Sequence, residues 1–168
     1  INPSQRILLV SPDHLGDMLL TTPAIHALRK AQPDAEIHAL VGSWSAPLVA
    51  DCTEVDFILT LPFPGFTRNR KQRGLFSTYR ILLQSTRQLR RIGYTSAVIL
   101  HPNHWWGALL AYLAGIPNRF GHDLPDVAPL LTHATPYKQQ HAIIQSLRLV
   151  NHWTGNITPE NVRYKYTM

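Results

Sequence analysis

Two carboxylates and two histidines stand where this sequence can do chemistry. Ser11-Pro12-Asp13-His14-Leu15-Gly16-Asp17 follows one apolar run, and His101-Pro102-Asn103-His104 follows another. An aspartate at the mouth of a sheet is suited to accept a proton from a hydroxyl, which is general-base work. The same residue at a helix start is equally suited to cap it, because negative charge favours the N-terminal end of the dipole. Spacing alone leaves both roles open for Asp17. The loop has neither a three-glycine dinucleotide fingerprint nor a Gly-Lys-Ser/Thr phosphate loop, and Asp13 and Asp17 would repel a phosphate. NAD-dependent redox chemistry and P-loop hydrolysis are therefore not expected. His101 and His104 are suited to hydrogen-bond a substrate or the loop backbone. A metal centre needs three or four converging ligands, and the sequence has no cysteine pair and no His-Glu-x-x-His. No metal is expected. Trp105-Trp106 can stack on a sugar or cover the core, and core is the favoured reading.

A second candidate is electrostatic. Arg68-Asn69-Arg70-Lys71-Gln72-Arg73 is either a solvated charge run or an anion-recognition loop. From Phe57 to His122 there is no Asp or Glu, while nine basic residues fall there: Arg68, Arg70, Lys71, Arg73, Arg80, Arg87, Arg90, Arg91 and Arg119. With a net charge of +6, so one-sided a segment attracts anions. Nucleic acid, a phosphorylated glycolipid or an anionic membrane surface would each fit. Arg80, Arg87, Arg90 and Arg91 read as a helix's solvent face with no base-reading motif, so nucleic acid comes second.

The elements that must position these groups alternate. Arg6–Val10 is a nearly continuous apolar run, as in a strand covered on both faces. Asp17–Thr21 reads as a separate helical turn or as the start of a helix that Pro23 bends. Thr22-Pro23 signals a helix start, with Ala24, Leu28 and Ala31 on one face and Gln32-Pro33-Asp34 as its end. Strands are expected over Ile37–Val41, Phe57–Leu61 and Ala97–Leu100, with a short one at Arg119–Phe120. Helices are expected over Ala46–Ala50, Leu75–Ile92, near Trp106–Ala114, and over Gln139–Trp153. In the long helix, Tyr79, Leu82, Leu83, Leu89 and Ile92 are available for packing. Strands separated by helices imply an α/β, Rossmann-like three-layer domain with a mostly parallel sheet. Ligands of such folds sit at the carboxyl ends of the strands, which directs attention to Ser11–Asp17, Gly42–Ser45, Pro62–Arg73 and His101–Trp106.

Size and composition bound the rest. The 168 residues suit one medium-sized domain, and 45% hydrophobic content supplies a core. The single Cys52 rules out an internal disulfide framework and suits a reducing compartment. No apolar run approaches the roughly 20 residues that span a bilayer, and no secretory signal is visible at Ile1-Asn2-Pro3. A cytoplasmic setting is expected.

The chain also resembles a family. Ile7-Leu8-Leu9-Val10 followed by Asp13-His14-Leu15-Gly16-Asp17-Met18-Leu19-Leu20-Thr21-Thr22-Pro23-Ala24-Ile25 looks like the opening of glycosyltransferase family 9, the ADP-heptose:lipopolysaccharide heptosyltransferases. Pro33-Asp34-Ala35, Leu109–Pro117 and Lys138-Gln139-Gln140-His141-Ala142 extend the resemblance over nearly the whole chain. It implies one half of a GT-B fold, in which the N-terminal domain receives the acceptor and the C-terminal domain holds the nucleotide-sugar. Residues 1–158 would be that acceptor-side domain and 159–168 the start of the interdomain linker. The donor-binding half would be missing and the fragment alone inactive. The resemblance makes Asp17 the general base of an inverting, metal-independent transfer. Asp13 of the same element would orient Asp17 or touch substrate, and Gly16 would lie in the substrate-binding element; His101 and His104, read from the residues themselves, join these as substrate-binding candidates. Arg68, Arg70, Lys71 and Arg73 would meet an anionic glycolipid or saccharide acceptor such as the phosphorylated inner core. No cofactor is implied beyond a nucleotide-sugar substrate such as ADP-heptose. The site of action would be the inner face of the cell membrane, with peripheral membrane contact. The competing expectation is a non-catalytic basic module that binds RNA or anionic lipid.

Overall fold

Period-two alternation sets the first strand. In the computed structural model, which describes residues 5–66 and 74–155, β1 (Arg6–Ser11) sends Ile7 and Leu9 to one face of the sheet and Leu8 and Val10 to the other. All four are at most 1% exposed, so β1 is covered on both sides, as the unbroken apolar run requires. The chain then runs through α1 (Leu15–Leu19), α2 (Thr22–Ala31), β2 (Glu36–Val41), α3 (Ala46–Ala50), β3 (Phe57–Thr60) and α4 (Leu75–Ile92). It continues with β4 (Ser96–Ile99), α5 (Trp105–Leu113), β5 (Asn118–Asp123), a 3₁₀ turn at Ala128–Leu130, β6 (His133–Pro136), α6 (Ala142–Leu149) and α7 (Asn151–Thr154).

The six strands form one sheet in the order β3-β2-β1-β4-β5-β6, and every pairing is parallel. Leu9 lies opposite Ala39 on one side and Val98 on the other, which fixes the register of the three central strands. One layer of core joins Ile7, Leu9, Ile37 and Val98 to Met18, Ile25, Leu28 and Leu147, beneath α1, α2 and α6. The other joins Leu8, Val10, Ala97 and Ile99 to Leu82, Leu89, Trp106 and Leu110, beneath α4 and α5. The result is the helix–sheet–helix sandwich expected of an α/β chain.

Helix boundaries follow local chemistry. Pro23 occupies the first turn of α2, where its missing N–H costs no hydrogen bond. α1 is a separate short helix, not the bent beginning of α2. Gly93 ends α4 in the left-handed conformation at φ 76°, with its N–H on the Leu89 carbonyl at 3.2 Å.

Three features differ from the sequence reading. Tyr79 and Leu83 do not pack: they are 64% and 56% exposed, while Leu82 and Leu89 are buried. At 100° per residue, Tyr79 and Leu83 fall roughly 90° and 130° away from the stripe centred on Leu82, Ser85 and Leu89. β6 carries no apolar run and ends on a proline, which an edge strand tolerates and pattern reading overlooks. The final helix begins at Ala142 and breaks at Val150 into α6 and α7.

Candidate functional site

Strand order reverses beside β1: the chain leaves it toward β2 on one side and later returns through β4 on the other. The loops at the carboxyl ends of these two strands therefore diverge and leave a crevice, the usual ligand position in an open parallel sheet. Asp13 and His101 meet there. His101 Nδ1 lies 2.7 Å from Asp13 Oδ1, and Ser11 Oγ donates to Asp13 Oδ2 at 2.9 Å. With a carboxylate as its partner, Nδ1 carries the proton of the neutral ring, and Nε2 is left as an acceptor. The Asp13 side chain is 8% exposed and that of His101 is 33% exposed, so the carboxylate is the buried support and the imidazole the accessible group.

The loop after β2 closes this arrangement from the other side. Ser45 Oγ donates to the Asp13 carbonyl at 2.6 Å, and Trp44 Nε1 donates to it at 3.0 Å. The indole also lies against His14, with ring centroids 5.4 Å apart. Gly42 permits this fold-back, because a Cβ there would come within 2.1 Å of the Trp44 ring. Residue type alone does not mark Ser11, Trp44 and Ser45; their position does, since all three end or follow a parallel strand at its carboxyl end.

Asp17 occupies the first turn of α1, just beyond this loop. It is exposed, and its carboxylate has no hydrogen-bond or ion-pair partner among the described residues. A Cβ at neighbouring Gly16 would meet nothing within 4 Å, so the space in front of this turn is open. Asp13, by contrast, hydrogen-bonds Ser11 and His101.

His104 lies behind the site. It is 3% exposed, edge-on to Phe63 and Phe66 at 5.1 and 5.7 Å, and neither ring nitrogen has a hydrogen-bond partner. Burial lowers its pKa to about 3, and the nearby His101 pushes the same way, so it is a neutral wall residue. The two tryptophans divide: Trp106 is core at 3% exposure, whereas Trp105 is 51% exposed at the first position of α5. Arg68, Arg70, Lys71 and Arg73 lie outside the described residues. Arg119, counted among the basic residues of the acid-free stretch, is committed locally. It donates to the Ile116 and Leu130 carbonyls at 2.6 and 2.7 Å and lies over the Tyr112 ring at 5.2 Å. Among the described residues no group of three His, Cys, Asp or Glu is placed to hold a metal ion. No described helix is long and apolar enough to cross a membrane.

The loop after β1 leads into the exposed Asp17 carboxylate, and the loop after β4 carries the Asp13-paired His101 and leads into the exposed Trp105 indole. Such a set can accept a proton from an alcohol and hold a sugar-like ring nearby.

No family model matches the chain. Lipopolysaccharide heptosyltransferase 2 of Escherichia coli K12 is 30% identical over 116 residues, which cover 69% of this chain and 30% of that protein. A glycosyl transferase family 9 structure from Veillonella parvula superposes with a TM-score of 0.72 at 24% identity, covering 90% of this chain and 41% of that one. The Escherichia coli heptosyltransferase WaaC, solved with ADP, gives a TM-score of 0.72 at 19% identity, over 96% of this chain and 51% of that one. The matched part is thus about a third of the curated relative's length and about half or less of either solved chain.

Proposed function

We propose, for a chain whose relatives are lipopolysaccharide heptosyltransferases and whose fold is that of glycosyltransferase family 9 structures, that it is the acceptor-side domain of an inverting glycosyltransferase. The whole enzyme would pair it with a second, donor-holding domain beyond the linker at residues 159–168. It would move heptose or a related sugar from a nucleotide-sugar such as ADP-heptose onto a lipopolysaccharide-core or similar glycan, at the inner face of the cell membrane. The observation that supports this reading best is the exposed, unpartnered Asp17 carboxylate beside the crevice between β1 and β4.

In this mechanism Asp17 takes the proton of an acceptor hydroxyl as that oxygen forms its bond to the anomeric carbon. The bond from that carbon to the diphosphate breaks on the opposite face, and its electron pair leaves with the nucleotide diphosphate. One displacement inverts the anomeric centre. Because the base is a side chain, the proton transfer itself calls for no metal. His101, held by Asp13, accepts a hydrogen bond from a second acceptor hydroxyl through Nε2 and so sets the sugar's orientation. Trp105 offers a face for the same sugar. Arg68, Arg70, Lys71 and Arg73 would supply positive charge to a phosphorylated acceptor.

The test is Asp17→Asn in the intact protein, this chain with its donor half. A positioned base contributes about 10²–10⁴-fold, so turnover should fall by that order while acceptor affinity and melting temperature stay unchanged. Unaltered turnover would reject Asp17 as the base. Salt-sensitive RNA binding with no affinity for a phosphorylated core saccharide would reject the transferase reading in favour of a binding module.

A further inference from the structure

α4 carries an outward face that the sheet does not use. Phe76 is 93% exposed, Tyr79 64% and Leu83 56%, and no other described element covers them. On the helical wheel these three lie within roughly 60° of one another, and Arg80, Arg87 and Arg91 fall on the same side. All three arginines are exposed. Arg90 is adjacent but partly committed, donating to the Leu113 carbonyl at 2.6 Å. The face runs from Phe76 to Arg91, about 22 Å along the axis, with Arg80 between Tyr79 and Leu83 and with Arg87 and Arg91 in the last two turns. No carboxylate interrupts it, because the whole stretch from Phe57 to His122 is free of acids.

We infer that this face of α4 is a docking surface for an anionic lipid bilayer. Charge selects the partner's sign: three guanidinium groups on one face, with no partner among the described residues, call for phosphate or carboxylate opposite them. The apolar groups select its kind. Leu83 has no π-face on which a base could stack, and a nucleic-acid backbone offers nothing for Leu83 and Phe76 to enter. A lipid surface satisfies both demands, since apolar side chains reach the headgroup–acyl boundary while arginines stay among the phosphates. With no membrane-crossing helix described, contact through such a surface would be peripheral. α4 begins after the loop at the carboxyl end of β3, so its apolar end lies on the same end of the sheet as the crevice. A lipid-linked acceptor would therefore be presented from the docked side. The surface stands on its own exposure and charge, independently of the transfer chemistry proposed above.

Vesicle co-sedimentation of this chain tests the inference, using phosphatidylcholine alone and phosphatidylcholine with about a third phosphatidylglycerol. Two variants accompany it: Arg80→Gln/Arg87→Gln/Arg91→Gln and Phe76→Ser/Leu83→Ser. All five positions are exposed, so circular dichroism should stay unchanged. Binding is expected only to the anionic vesicles. It should weaken about a hundredfold in the arginine variant and about tenfold in the apolar variant. Equal binding to both vesicle types, no binding, or binding that neither variant weakens would overturn the docking surface. So would sedimentation showing that this face instead joins two copies of the chain, or RNA binding that the same variants abolish while vesicles are ignored. None of these outcomes depends on Asp17. Transfer can fail with docking intact, and the reverse.

Discussion

Asp13 has the most constrained side chain of the candidate site. Its buried carboxylate takes hydrogen bonds from Ser11 and His101, and its carbonyl takes two more from Trp44 and Ser45. Asp13→Ala would leave the buried Ser11 hydroxyl and the half-buried His101 Nδ1 without their partner. A buried polar group left unpaired costs about 1–3 kcal/mol, so urea unfolding should show a loss of that order. The imidazole of His101 would also lose its fixed tautomer, and its ¹⁵N shifts should move toward the exchange-averaged pattern of a free ring. Full retention of stability would show that the carboxylate is not the support described here. Asp17 should behave in the opposite way: with no partner to lose, its replacement should leave stability untouched.

At the scale of elements, the site depends on how closely α5 approaches β1. Gly107 sits in the first turns of α5, and a Cβ there would lie 2.4 Å from His104 Nδ1 and 2.9 Å from Val10 Cγ1. Gly107→Ala must therefore push α5 away from the sheet or His104 out of its pocket between Phe63 and Phe66. Overpacking of this kind costs about 1–3 kcal/mol, even though alanine is the better helix former by about 1 kcal/mol. The expected result is a lower melting temperature and a weaker near-ultraviolet signal from Trp106. Gly16→Ala is the control, because its Cβ meets nothing within 4 Å. A stabilised Gly107→Ala would mean that the approach is looser than the structure has it.

At the scale of the molecule, buried histidines make the fold sensitive to acid. Burial lowers His104 to about 3 and His122 to about 4, and neither has a hydrogen-bond partner on either ring nitrogen. Above pH 6.5 both are neutral whether folded or unfolded. Below it the unfolded chain takes up protons that the folded chain refuses, so stability is lost as pH falls from 6.5 toward the folded values. Each histidine contributes a slope of up to about 1.4 kcal/mol per pH unit in that window. Urea midpoints measured from pH 7 to pH 4.5 should fall steadily, and His104→Leu should remove about one proton from the slope. An unchanged slope in that variant would show that His104 gains access to water in the folded protein.

Sequence alone determined the parts of this protein that repeat along the chain. Residues 7–10 alternate between two apolar faces, Pro23 and Gly93 mark helix ends by their own backbone chemistry, and strands separated by helices leave a parallel sheet as the natural closure. It also singled out the loops after the first four strands as candidates, because ligands of open parallel sheets sit at carboxyl ends. Only the tertiary structure could decide where each candidate sits and what it pairs with. Asp13 and His101 are 88 residues apart and become hydrogen-bonded partners only when β1 and β4 lie side by side. His101 and His104 look equivalent in sequence, yet one faces the crevice while the other is walled in by Phe63. The same holds for Leu82 and Leu83, where one step of 100° around α4 separates core from open surface. Local patterns encode elements because backbone geometry is local. Exposure and pairing are properties of the assembled sheet, and the chain acquires them only on closing.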